Sequence, residues 1–226
     1  MFTITTSLTE ADIQQAVKLA KANYVDLIDK HLRPGGGPTG SMCQTTIEVE
    51  VRAYLSEGIT DGFGLKVTRV LAKDTQDNVI GFVIALEGTL DTDCGLNYAV
   101  VHKDFRRQGV LRAMILEIQS RYEFIGLSCK LDKVPYYEAL GFRITGPQKA
   151  QVAMSWGLDK PHAAMPLLGF DQTSEVQGAK ASFARLNGAK AQGILRKVGE
   201  AQKEQAKKVL AYLDKRELGA THAEAL

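Results

Sequence analysis

Within the 226 residues, the stretch best suited to chemistry runs Val101-His102-Lys103-Asp104-Phe105-Arg106-Arg107-Gln108-Gly109-Val110-Leu111-Arg112. An apolar, strand-like run, Leu96–Val101, ends just before it. Val110, Met114, Ile115 and Ile118 continue from it at helical spacing. A turn that opens directly into a helix leaves the first helical N–H groups without intrahelical partners. The aligned peptide dipoles add partial positive charge, worth about 0.3–1 kcal/mol to a nearby anion at an exposed site. Gly109 lets a bulky anion approach the backbone, while Arg106, Arg107 and Arg112 surround it with cationic donors. The stretch from Arg106 through Gln108, Val110 and Leu111 to Arg112 therefore has the makings of a pyrophosphate cradle. It is neither a Walker loop, since no Gly-Lys-Ser/Thr follows, nor the dinucleotide fingerprint, which needs two more glycines. Taken alone, the same residues also suit a solvated basic turn.

The elements that must hold this turn can be read from periodicity. Phe2 and Ile4 alternate as a short strand. Ser7 or Thr9 can cap a helix carrying Ile13, Val17, Ala20, Tyr24 and Leu27 as far as about Asp29. Pro34-Gly35-Gly36-Gly37-Pro38 breaks it, and Gly35–Gly37 can form a loop over a substrate or an ordinary surface connection. A second helix is predicted from Thr45 to about Ser56. Leu65–Ala72 and Val79–Leu86, joined by the polar turn Lys73–Asn78, read as a hairpin. Leu96–Val101 is the next strand and the helix from Val110 to Tyr122 follows. Then come a strand at Phe124–Leu131, a short helix at Val134–Leu140, and two strands, Phe142–Ile144 and Gln151–Trp156, around Gly146-Pro147. A strand, helix and strand across Leu96–Leu131 demand a parallel pair inside a mostly antiparallel sheet. The predicted class is mixed α/β with flanking helices, in one domain spanning 1–158.

Beyond it, 159–177 has little periodicity and reads as a linker. Residues 178–226 are rich in Ala, Lys, Gln and Glu and predict a helical extension. This tail holds ten Lys and Arg against five Asp and Glu, while the whole chain carries a formal charge of only +2. Leu195, Val198, Val209 and Tyr212 form a stripe interrupted by Gln202 and Gln205, a face for docking a protein partner or a second copy. With 45% hydrophobic and 24% charged residues, the composition excludes a wholly disordered chain, a collagen-like fibre and a disulfide scaffold. Three widely spaced cysteines, Cys43, Cys94 and Cys129, argue for a reducing compartment and against a zinc site. No apolar run nears the roughly 18 residues of a membrane helix, and Met1–Thr5 lacks a secretion signal's basic start. A soluble, cytoplasmic protein is expected, with no membrane, metal or nucleic-acid partner.

About 25 residues after the basic turn stands a second motif, Tyr136-Tyr137-Glu138-Ala139-Leu140-Gly141-Phe142. With Arg106-Arg107-Gln108-Gly109, it resembles the GCN5-related N-acetyltransferase (GNAT) superfamily. There a strand is followed by Gln/Arg-x-x-Gly-x-Gly/Ala opening a helix, then a strand and a helix reading (F/Y)-Tyr-x-x-x-Gly-Phe. The resemblance covers about two thirds of the chain, Phe2 to Trp156. The sequence departs from the pattern at Leu111, where a small residue is usual, at Lys103, where proline is frequent, and at Lys130 and Lys133, where Asn and Ala are often found.

The resemblance implies acetyl-CoA as donor and a primary amine, on a small molecule or a protein, as acceptor. The pyrophosphate would lie on the amides of Gln108 to Arg112, and the pantetheine would pair with the backbone of Val100 and Val101. Tyr137 matches the position that protonates the leaving thiolate; its plain alternative is a ring packed under its helix. For the base, which takes the acceptor's proton, Glu87 at the end of Val79–Leu86 is the candidate, with His102 and His31 behind it. Asn97 can orient water, and Cys129 reads as a buried small hydrophobe. A different class also fits: a GNAT-like structural or assembly protein whose altered cradle does no chemistry and whose tail binds a partner. A CoA-binding regulator without turnover is the third.

Overall fold

Eight of the nine residues in Val79–Glu87 are buried, on both sides of the strand, so helices must cover both faces of the sheet it belongs to. The computed structural model describes residues 1–28, 37–60, 66–158 and 169–223, with side chains except those of 58–60 and 217–223. Its strands are β1 (Phe2–Thr5), β2 (Val67–Asp74), β3 (Val79–Glu87), β4 (Asp93–Val101), β5 (Phe124–Cys129), β6 (Arg143–Gln148) and β7 (Gln151–Gly157). The helices are α1 (Glu10–Ala22), α2 (Tyr24–Leu27), α3 (Gly40–Thr60), α4 (Val110–Gln119), α5 (Val134–Glu138), α6 (Ser174–Asn187) and α7 (Ala191–Ala223). The seven strands form one sheet in the order β1-β2-β3-β4-β5-β7-β6, antiparallel except for the pair β4 and β5. This is the mixed α/β class expected from the sequence.

One face of the sheet packs on α1 and α3, through residues such as Ile13, Tyr54, Leu55, Phe82 and Ile84. The other packs on α4, through Val83, Met114, Ile115, Ile118 and Ile125. Helix α1 starts where Thr9 and Asp12 cap each other: Asp12 N–H donates to Thr9 Oγ1 (3.2 Å) and Thr9 N–H to Asp12 Oδ2 (2.8 Å). Asp12 is also buried against Lys73 of β2, 2.7 Å away. Burial alone would raise the Asp12 carboxyl, but the Lys73 ammonium and the Thr9 donors hold it below its ordinary value.

Four elements differ from expectation. The helix predicted to Asp29 ends at Ala22, because Asn23 closes it, its N–H and side chain both donating to Leu19 O; Asp29 lies outside the described residues. Helix α3 begins at Gly40, five residues earlier than its Thr-rich start suggests. There the Thr45 and Thr46 hydroxyls donate back to the carbonyls of Ser41 and Met42, and Cys43 is buried. Strand β6 continues through Gly146-Pro147 to Gln148, and the chain reverses at Lys149, which takes φ 54°. Pro147 is tolerated because β6 is an edge strand and needs no N–H on its open side. Helix α6 starts at Ser174, inside the segment read as linker, and packs on α3.

Helix α7 lies against β6 and β7. Val209 is fully buried there, with Tyr212 and Leu213 packed against the α4-side core, while Leu195 and Leu210 stay exposed. Half of the stripe read as a docking face is thus covered by the chain's own sheet. Arg216 of α7 bonds Glu138 of α5 at 2.6 Å and stacks over the Tyr212 ring, fastening the extension to the helix that carries Tyr137. Among the described residues no helix is long and apolar enough to cross a membrane.

Candidate functional site

Strands β4 and β5 pair only from Asp93–Gly95 to Phe124–Gly126. Beyond Gly95 they part. Strand β4 carries a bulge at Asn97, which has no partner between Tyr98 (opposite Ile84) and Leu96 (opposite Ala85) of the β3–β4 ladder. A bulge bends its strand and increases the local twist, here where the parallel neighbour is lost. The wedge this leaves is the inner end of a cleft of about 900 Å³. Its walls include Leu96–Val101, the turn at Phe105–Arg107, Gly109–Arg112, Ser128–Lys130, and Tyr136 and Tyr137.

Gly109 caps α4 from the left-handed region (φ 81°, ψ 0°) and no side chain bonds the first N–H groups of the helix. Arg107 also has positive φ, at 63°. A Cβ built on Gly109 would meet nothing within 4 Å, so the space over these amides is open, and α4 has no acidic residue in its first turn to compete for them. An anion such as a pyrophosphate fits this corner on charge, donors and room. Val110 is buried and anchors the helix, and Leu111 is half-buried against the α4-side core while still bordering the cleft. Arg107 and Arg112 line the cleft.

Arg106 is committed elsewhere. Its guanidinium donates to Asn23 Oδ1 (2.8 Å), Asp26 Oδ2 (2.9 Å) and Val101 O (3.2 Å). It therefore ties α2 to the turn, and it takes one backbone acceptor that the sequence assigns to pantetheine pairing. Val100 is buried and Val101 half-buried, both on the open edge of β4. The Gln108 side chain donates to Asp104 O at 2.9 Å, bracing the turn from within. Lys130 reaches from the end of β5 to the carbonyls of Val25, Asp26 and Ile28, so α2 is held from both walls of the cleft.

Tyr137 lines the cleft, its ring edge-on to Phe142 (5.6 Å) and Tyr136 (5.5 Å). Burial first, then Cys129 and Tyr136, push its phenol well above the ordinary value, so it stays protonated across the neutral range. Cys129 is buried, its thiol raised to about 12 mainly by burial, which leaves no thiolate for nucleophilic work.

Glu87 does not join these groups. It stands at the paired end of the sheet, opposite Cys94, where Lys66 lies 3.3 Å from one carboxylate oxygen and the Tyr122 hydroxyl 3.4 Å from the other. His102 caps the short turn after β4 through Asp104 N–H and does not line the cleft; His31, Gly35 and Gly36 lie outside the described residues. A different carboxylate was overlooked in the sequence: Glu50 of α3 accepts a hydrogen bond from Tyr98, which lines the cleft next to the Asn97 bulge. Its signal was present, since Glu50 falls among Ile47, Val51 and Tyr54 on the buried stripe of α3.

No family model matches the sequence, and no curated protein does. Solved structures share its architecture. PaiA N-acetyltransferase from Thermoplasma acidophilum, in complex with coenzyme A, is 12% identical with a TM-score of 0.56, covering 70% of this chain and 99% of its own. A putative GNAT-family acetyltransferase from Desulfovibrio desulfuricans is 13% identical (TM-score 0.51; 70% and 99% covered). An aminoglycoside 6'-N-acetyltransferase complexed with coenzyme A is 16% identical (TM-score 0.50; 72% and 99% covered). The fold is that of the GCN5-related N-acetyltransferases.

Proposed function

We propose that this protein is an N-acyltransferase that moves an acetyl group from acetyl-CoA to a primary amine, on a small molecule or a protein. The observation that carries this reading is the continuity of one cleft. It runs from open amides at the α4 N-terminus, along the unpaired edge of β4, to the Tyr137 ring. Acetyl-CoA, when bound, supplies an acyl group already activated as a thioester. The first-turn N–H groups of α4, with Arg107 and Arg112, hold its diphosphate, and the β4 edge around Asn97–Val100 aligns the chain that leads to the sulfur. A backbone N–H on this edge stabilises the developing negative charge. Burial keeps the proton on the Tyr137 hydroxyl until the sulfur departs, and Tyr137 then delivers it.

Calorimetric titration with acetyl-CoA tests this directly. Saturable heat is expected, and Gly109→Val is expected to weaken binding by at least about 10-fold, since its side chain would enter the space above the amides while adding left-handed strain. No heat from the wild-type chain would sink the reading. One observation favours the second reading, a silent scaffold: Arg106 and Lys130 are spent on α2 instead of on a ligand. That reading expects no heat at all.

A further inference from the structure

The acyl-transfer reading leaves the acceptor's proton without a destination, because Glu87 lies at the wrong end of the sheet. Building on that reading, we propose that Tyr98 and Glu50 form a proton relay that deprotonates the ammonium acceptor. Tyr98 projects from β4 beside the Asn97 bulge and lines the cleft; Glu50, on α3, lies behind it and accepts its hydroxyl proton through Oε2.

The segment just before α6 packs behind the pair. Phe170 is buried and stands edge-on to Tyr54 at 5.4 Å, and Tyr54 is tilted against Tyr98 at 6.4 Å. Asp171 follows immediately. Among the described residues, the titratable groups that act on Glu50 are Tyr98 of β4 and Asp171 of the segment before α6. Burial first, with Asp171 adding to it and the Tyr98 hydrogen bond opposing it, holds the Glu50 carboxyl above its ordinary value. A raised carboxylate is a stronger base, and burial holds the Tyr98 phenol so high that it cannot remain a phenolate. The transfer is thus concerted. An N–H bond of the ammonium breaks as a Tyr98 O–H forms, the original Tyr98 O–H breaks as an O–H forms on Glu50 Oε2, and the freed nitrogen lone pair forms the C–N bond to the acyl carbon. The C–S bond then breaks, the sulfur takes its proton from Tyr137, and the second proton that the nitrogen sheds in becoming an amide restores the Tyr137 hydroxyl.

Removal of a proton before attack is needed only when the nucleophile arrives protonated. Butylamine is an ammonium ion at neutral pH, whereas hydroxylamine is already largely unprotonated. Acetyl transfer from acetyl-CoA to each, measured on the full chain, separates a relay from a merely structural contact. Wild type is expected to acetylate both. Glu50→Gln and Tyr98→Phe should each lower kcat/KM for butylamine by about 100-fold and for hydroxylamine by less than about 10-fold. In wild type, kcat/KM for butylamine should rise with pH through an ionisation above the ordinary carboxylate range that Glu50→Gln removes. Where Glu50→Gln does not fold, Tyr98→Phe, which keeps the ring, carries the test. Equal losses on both nucleophiles in a natively melting variant, or transfer to hydroxylamine but never to butylamine, would overturn the relay and leave acyl transfer standing. Transfer to neither by wild type would sink both.

Discussion

The two ends of the β4–β5 pair carry the same chemical parts and put them to opposite uses. At the paired end, Glu87 meets Tyr122, whose hydroxyl also bonds Thr68 at 2.6 Å, and Lys66 covers the carboxylate from outside. At the parted end, Glu50 meets Tyr98 on the wall of a cleft. Two left-handed glycines repeat the contrast. A Cβ on Gly157, opposite Phe124 at the paired end, would lie 1.8 Å from Glu123 O, whereas one on Gly109 would meet open space. A Glu–Tyr pair or a positive-φ glycine is therefore structural or functional according to whether the neighbouring strands stay hydrogen-bonded.

Substitutions at the two ends should separate rate from stability. The largest effect is expected at the open end: Tyr137→Phe should lower kcat by about 10²–10⁴-fold with acetyl-CoA affinity unchanged, as read by steady-state kinetics and calorimetry. An unaltered rate would make Tyr137 a packing residue and weaken the contrast. At the closed end, Gly157→Ala should cost about 3 kcal/mol in denaturant unfolding, from left-handed strain plus the collision with Glu123 O.

Alkaline pH probes the same end. Burial lifts the Tyr122 phenol to about 12, above its value in the unfolded chain. Its contribution is whole below about pH 10 and should be lost as pH rises through its folded value, about 2 kcal/mol in all, followed by unfolding at stepped pH. Smallest is Glu87→Gln, expected to cost about 1 kcal/mol of stability and to leave the transfer rate unchanged. A large rate loss there would return the base to the position the sequence suggested.

Much of the architecture is legible in local pattern. The hairpin of β2 and β3 follows from two apolar runs around Lys73–Asn78, where Asp74 Oδ1 accepts from the N–H groups of Gln76 and Asn78. The α4 cradle follows from an apolar helix behind Arg106-Arg107-Gln108-Gly109. The start of α3 was not legible, because serines and threonines disfavour helix locally and the burial of Thr39, Gly40 and Cys43 overrides them. The commitment of Arg106 was hidden as well, since Asn23 and Asp26 lie some 80 residues away in the chain.

Sequence by itself determined the order of elements, the site of the parallel crossover and the residues of the phosphate-sized turn, because periodicity and turn chemistry act over a few residues. Only the tertiary structure decided which carboxylate bonds the cleft's Tyr98, which arginine is tied to α2 and where the extension lies. Those outcomes depend on the parting of β4 from β5 and on contacts between distant segments, and neither leaves a mark in the spacing of neighbouring residues.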